Sequence, residues 1–289
     1  MKPLVCAITG ANGQIGSYLV DHFRNNGYIV YELARSKEKV KDEIYYQYFD
    51  LSQPHHAPSL QNIDVLIHTA CYFDTTNSNY QEINIIGTQK LFQQAKIDGV
   101  KCSIFISTIS AYPSACSLYG RTKYRLEQYL ANTYDNVVIV RPGLIFHTPL
   151  KGITAAIEKI VKNFSVIPMI GRGNQLIYPC SLQDLAKLIL KLSIVQPSIK
   201  GPIVAAAEQA ITLKELISYL AKREKKRVFF LPIPFYLVYW LLKTAEYFRL
   251  PIRLRSDNLL GLQYANQHID FSEIKNLEME FRALGPVID

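Results

Sequence analysis

Apolar positions along this chain follow two rhythms. Short, nearly continuous apolar runs occur at Leu4–Thr9, Tyr28–Leu33, Tyr45–Phe49, Asp64–His68, Cys102–Ile106 and Val137–Val140. Between several of them lie longer stretches whose apolar residues recur every three or four positions, notably through Phe23, over Tyr80–Lys96 and from near Leu118. The runs have strand length and the stretches helix length. Strands alternating with helices predict an α/β protein with a parallel, doubly wound sheet. Downstream, prolines at 232 and 234 predict a helix starting near Pro234. Ser256–Leu262 and Asp270–Asn276 read as short closing elements, and no repeats or low-complexity linkers appear.

Composition narrows the picture modestly. With 289 residues and 49% hydrophobic content, the chain can bury a large core. No uninterrupted apolar run reaches spanning length, and Met1-Lys2-Pro3 followed by a strand does not resemble a signal peptide. The five cysteines are odd in number, scattered and without a Cys-x-x-Cys pair, as expected of reduced thiols in a cytoplasmic protein. The histidines, including His55-His56, lack metal-ligand spacing. Charge changes the picture more. Between Lys214 and Arg255 ten basic residues face three acidic ones, a net +7 within a chain of net +8. Such a segment is either a solvated face or a surface for an anionic partner.

Candidate chemistry begins after the first strand. Gly10-Ala11-Asn12-Gly13-Gln14-Ile15-Gly16 stands between strand and helix, where glycines let a backbone turn tightly around a pyrophosphate at a helix N-terminus. The second strand ends in Ala34-Arg35, where an acid usually holds the ribose 2′-hydroxyl of NAD. Arg35 suits a 2′-phosphate instead, and Glu32 would point to the other face from Leu33. NADP is therefore expected ahead of NAD, although Arg35 and Lys37 also read as ordinary surface charges. Asp50-Leu51 could cap an adenine, Thr69-Ala70 would let a cofactor lie close, and Asn84 could bond backbone near the site. Tyr119 and Lys123, four apart on a helix, share one face. An ammonium near a phenol is expected to lower its pKa, and Thr108 at a strand end could bind the oxygen that exchanges the proton. The spacing alone is weak, because it recurs at Tyr239 and Lys243 in a chain with 19 tyrosines.

The order of these motifs, with His68-Thr69-Ala70, Asn84-Ile85-Ile86-Gly87-Thr88, Ser107-Thr108 and Arg141-Pro142-Gly143, resembles the extended short-chain dehydrogenase/reductase family of sugar-nucleotide epimerases, dehydratases and reductases. The resemblance implies a Rossmann-like sheet over residues 1–165, rejoined by 176–207. It implies a small interleaved C-terminal substrate lobe, mainly 166–289. It makes Tyr119 the acid/base, Lys123 its modulator and Thr108 its assistant. Gly10, Asn12, Gly13, Gln14, Ile15, Gly16, Arg35, Asp50, Leu51, Ala70, Asn84, Ser107, Tyr119, Lys123 and Pro142 become the expected cofactor contacts. Arg141, Arg172 and the 223–227 cluster are candidates for a substrate diphosphate. A nucleotide-linked sugar is the expected substrate and a homodimer the expected assembly, without nucleic acid or metal. Three departures bear on the reaction or its substrate. Only 11 residues separate Thr108 from Tyr119, Ile109-Ser110 replace the Asp-Glu pair of the dehydratases, and no Tyr-Gly-Pro follows Ile145. The loss of the Asp-Glu pair argues against dehydration, and the other two departures bear on substrate specificity.

Residues 228–242 are apolar and aromatic, flanked by Arg223–Arg227, Lys243, Arg249 and Arg253. A helix here could cover the substrate pocket, join two subunits, or lie on a membrane through 228–255. The same apolar stretch leaves a lipid or sterol-like alcohol as an alternative substrate, and a non-catalytic NADP-binding subunit or sensor as a third reading.

Overall fold

In the computed structural model, which describes residues 2–38, 43–195, 201–250 and 254–284, the predicted alternation is present. β1 (Val5–Thr9) leads into α1 (Gln14–Asn25), and β2 (Ile29–Ala34) is followed by β3 (Tyr46–Tyr48). Next come β4 (Val65–His68), α2 (Tyr80–Ile97), β5 (Cys102–Ile106), α3 (Leu118–Thr133) and β6 (Val137–Pro142). The second half holds β7 (Leu144–Phe146), α4 (Gly152–Asn163), β8 (Val166–Ile170), β9 (Leu176–Ile177), β10 (Pro179–Ser181), α5 (Leu182–Val195) and β11 (Ile203–Ala205). It closes with β12 (Ile211–Thr212), α6 (Leu213–Arg223), β13 (Phe229–Ile233), α7 (Phe235–Tyr247), α8 (Ser256–Gln263) and α9 (Ser272–Asn276).

Seven strands form one sheet in the order β11-β6-β5-β4-β1-β2-β3, each pair parallel. Strand order reverses at β1, which pairs with β2 on one side and β4 on the other. In such a Rossmann-like sheet the crevice for a ligand opens outside the carboxyl ends of the strands at that reversal. β1, β4 and β5 are buried along their whole length, as continuous apolar runs covered on both faces should be. β6 runs past its predicted end because β11 continues the ladder beside it, Val204 opposite Arg141 and Ala205 opposite Pro142. Pro142 lacks an N–H, but its carbonyl accepts from Ile109 N at 3.1 Å.

Two of the apolar clusters explain the interleaving. One joins Leu19 and Phe23 of α1 and the strands to Leu185, Ile189 and Leu192 of α5 and to Ile203 and Ala205. Ile274 and Phe281 pack there too. The other joins Phe146, Leu150 and Val161 to Ile167, Met169, Leu216 and Leu220. Within the segment 1–165, the stretch from Phe146 to Val161 therefore packs with the later lobe. The lobe is built on three small ribbons: β7 with β10, β8 with β13, and β9 with β12. Its α6 starts with a capping box between Thr212 and Glu215.

Candidate active site at the sheet's carboxyl edge

The glycine turn follows β1 at the reversal point. Gly10 has φ +67°, which glycine adopts without strain, and a Cβ on Gly16 would stand 2.2 Å from the Gly10 carbonyl oxygen. The first turn of α1 can lie so near the strand end only because that Cβ is missing. The Thr9 hydroxyl ties the two edges of the crevice together. It accepts from Thr69 N and Ala70 N, each at 3.2 Å, and lies 2.7 Å from His68 Nδ1. With both lone pairs used, its own hydrogen goes to Nδ1, which leaves His68 Nε2–H to donate to Thr88 Oγ1 at 3.0 Å. Burial holds the His68 pKa well below the ordinary imidazole value.

The other expected cofactor residues take distinct places. Asn12 Nδ2 donates to Ser36 O at 2.9 Å, joining the glycine turn to the end of β2. Arg35 is exposed beside it, while Glu32 is buried and paired with Arg24 at 2.9 Å. Asp50 accepts from Ser52 N and Oγ, both at 2.9 Å, and Leu51 is buried under α2. Ile15 packs on the main cluster. Asn84 is buried: its Oδ1 accepts from Tyr72 N at 3.0 Å and from the Cys71 thiol at 3.5 Å, and its Nδ2 donates to Tyr72 O and Tyr80 O. It positions the segment after Ala70 that faces Tyr119.

α3 brings the proton-transfer groups together. Its first turn is capped twice, by the Ser117 hydroxyl on Gly120 N and by the Asp257 carboxylate on Leu118 N and Tyr119 N. Asp257 arrives from α8, so the C-terminal lobe holds the helix that carries Tyr119. The phenol lies near enough to Thr108 to be influenced by its hydroxyl, and its ring stacks on Phe73 with centroids 6.2 Å apart. One turn later, Lys123 Nζ donates to Ile106 O at 2.8 Å and lies 4.6 Å from the centre of the Phe105 ring.

The electrostatics correct one expectation. The Tyr119 pKa was expected to fall under the influence of Lys123, yet burial raises it. Nearby Cys71 raises it further, and only the Thr108 hydroxyl opposes them. Lys123 is buried, and its own pKa is lowered by that burial. Its ammonium is turned toward the strand carbonyl, so these residues by themselves keep Tyr119 protonated.

Sequence reasoning missed Glu127, although its spacing was a signal: Tyr119, Lys123 and Glu127 repeat every four residues along one face of α3. Its carboxylate is buried, accepts from Ser107 Oγ at 2.5 Å, and is held bidentately by Arg141 through Nε at 2.9 Å and Nη2 at 2.5 Å. Burial nevertheless pushes its pKa up against the pull of Arg141 and Ser107. Arg141, a candidate for a substrate diphosphate, is thus engaged in an internal pair. Arg223 of the basic cluster pairs with Glu158 at 2.7 Å, and Arg172 is exposed. Asp257 had no sequence signal, being 138 residues from the nitrogen it caps. Among the described residues, no cluster of His, Cys, Asp and Glu could hold a metal ion.

The sheet and its glycine turn define a Rossmann-type scaffold. The family model for the NAD dependent epimerase/dehydratase family matches residues 6–193, and this chain belongs to that family. It is 24% identical to UDP-glucose 4-epimerase of Vibrio cholerae over 262 residues, 80% of this chain and 79% of the relative. It is 26% identical over 230 residues to the mitochondrial NADH dehydrogenase [ubiquinone] 1 alpha subcomplex subunit 9 of Dictyostelium discoideum, covering 75% of this chain and 63% of that one. Among solved structures, UDP-glucose 4-epimerase of Thermotoga maritima with UDP-glucose superposes with a TM-score of 0.71 at 20% identity, over 97% of this chain and 94% of the other.

The residues present fit a dinucleotide. Asn12 Oδ1 and Gln14 Nε2 are buried polar atoms with no protein partner, both on the glycine turn. A buried polar atom ordinarily finds a partner, and an acceptor and a donor at this turn match the ribose hydroxyls and phosphates of such a ligand. Gly10 to Gly16 would hold the pyrophosphate, and Ala70 leaves room beside it.

Proposed function

We propose that this protein catalyses hydride-coupled proton transfer at a hydroxyl or keto carbon of a nucleotide-diphosphate sugar, as an epimerase or a reductase. The observation that carries this reading is the nearness of Thr108 to the Tyr119 phenol, one helical turn from Lys123, at the carboxyl edge of the central sheet. The bound dinucleotide would supply the hydride donor or acceptor. Tyr119 holds the mobile proton at its phenol oxygen, and Thr108 bonds the same reacting oxygen. Because burial keeps the phenol protonated, donation to a keto oxygen is the direction these residues favour. Lys123 places a positive charge under the site and, with Tyr119, would contact the nicotinamide ribose. Arg35, exposed at the end of β2, supports NADP over NAD. The five free cysteines suit a reducing cytoplasmic setting. A homodimer is the proposed assembly.

UDP-glucose is the first substrate to test, since the Vibrio cholerae relative is named for it and the Thermotoga maritima structure contains it. Product formation with NAD or NADP should fall about 100-fold or more in Tyr119→Phe while cofactor binding is kept. Undiminished turnover in Tyr119→Phe would refute the role. The similarity to the Dictyostelium discoideum subunit favours a second reading, a non-catalytic nucleotide-binding subunit. Retained cofactor affinity without turnover on nucleotide sugars or lipid alcohols would select it.

A further inference from the structure

A surface helix ordinarily points a polar side to water, but α7 is largely apolar on its outer side as well as its inner one. At about 3.6 residues per turn, Leu242 and Ala245 face inward and are buried, while Tyr236, Leu237, Trp240, Leu241, Tyr247 and Phe248 share the exposed face. Trp240 is 64% exposed and Tyr247 82%. The ribbon that leads into this helix has the same character. Phe229 stands opposite Val166 and Leu231 opposite Pro168, and these four point outward, while Ile167 and Met169 point into the lobe.

The charge around this face has one dominant sign. Lys222, Lys225, Arg227, Lys243 and Arg249 are exposed. The acids among them are engaged, Glu224 with Lys162 at 3.4 Å and Glu246 with Lys243 at 3.6 Å. Arg253, the remaining flank of the predicted helix, lies outside the described residues.

We propose that this face rests on an anionic lipid bilayer, with α7 in the headgroup plane and Trp240 inserted at the boundary between headgroups and acyl chains. A second copy of the chain is the weaker occupant, because it would set one net-positive segment against another. Anionic headgroups complement the same charge, and Trp and Tyr favour the lipid–water boundary. α7 has 13 residues, and no helix among the described residues is long and apolar enough to cross a membrane. An aromatic face rimmed by Lys and Arg on a helix of that length suits binding in the plane of the interface. The contact does not depend on the reaction proposed for the dinucleotide site.

The sequence holds a single tryptophan, and it sits within this face, so its emission reports the contact directly. Full-length protein is titrated with vesicles of phosphatidylcholine plus phosphatidylserine, and with phosphatidylcholine alone. On the mixed vesicles Trp240 emission should shift to the blue and be quenched by brominated acyl chains. Arg227→Gln and Arg249→Gln should each weaken binding about fivefold. Leu241→Glu should abolish the shift with unchanged circular dichroism, since the side chain is 61% exposed. An unshifted Trp240 on the mixed vesicles overturns the proposal, and an equal shift on phosphatidylcholine alone overturns the anionic surface. A dimer in the absence of lipid that Leu241→Glu splits assigns the face to a second copy and overturns it as well.

Discussion

Glu127 offers the sharpest perturbation, because its environment fixes both the sign and the size of the effect. Its carboxylate side chain is 2% exposed, that of Arg141 is 16%, and the two meet in a bidentate pair that Ser107 completes. Glu127→Ala leaves the guanidinium in a nearly closed site without its counter-charge and deprives the Ser107 hydroxyl of its acceptor. Breaking a buried pair from one side costs about 3–5 kcal/mol. Against a typical domain stability of about 5–15 kcal/mol, that is a large fraction. Arg141→Met should cost a similar amount, since it strands the carboxylate instead. The upward push on the Glu127 pKa shows burial outrunning pairing, so removing both charges together should be far milder. Glu127→Leu with Arg141→Met is expected to lie within about 2 kcal/mol of wild type, the remainder being chiefly the orphaned Ser107 hydroxyl. Urea unfolding followed by far-ultraviolet circular dichroism measures all three variants. A Glu127→Ala loss under about 1 kcal/mol, or a double variant as damaged as the sum of the singles, would refute the argument.

Three further outcomes are expected. Gly16→Ala, whose Cβ would sit 2.2 Å from a backbone oxygen, should lose dinucleotide binding while keeping its circular dichroism spectrum; unchanged affinity would contradict the packing of the glycine turn. His68 is neutral in the fold, so below its ordinary pKa of 6.5 the unfolded chain takes up a proton that the native protein does not. Stability should therefore fall by about 1.4 kcal/mol on going from about pH 7.5 to about pH 5.5, and His68→Asn should remove that part of the pH dependence; identical pH profiles would count against it. Asp257→Ala strips a carboxylate from the first turn of α3 and should cost about 1–2 kcal/mol, with kcat falling more than KM rises if the cap positions Tyr119. An activity loss confined to KM would place Asp257 in substrate binding instead.

Much of this protein could be read along the chain, because its central sheet is made of local signals. Fully buried strands such as β5 appear as nearly continuous apolar runs, and the glycine turn announces itself between a strand and a helix. Bounds slipped where the partner strand decides them, as when β11 carries β6 on through Pro142. The site was legible in its residues but less so in its electrostatics. Tyr119 and Lys123 share a helix face as their spacing requires, yet whether the ammonium acts on the phenol depends on where Nζ turns. The Ile106 carbonyl and the Phe105 ring that hold it belong to another element. Arg141 looked available for a phosphate because nothing in the sequence places Glu127 beside it. Asp257 was invisible, since a cap supplied from α8 leaves no periodic trace near α3. The exposure of Trp240 likewise depends on which side of α7 the lobe buries.

The most direct test of the site is a fluorescence titration of the protein with NADH and with NADPH, comparing wild type with Arg35→Ala. Saturable binding of both is expected, tighter for NADPH, with the difference lost in Arg35→Ala. Equal or tighter binding of NADH would remove the 2′-phosphate contact and favour an NAD-holding epimerase. Saturable binding of neither nucleotide would contradict the dinucleotide site itself.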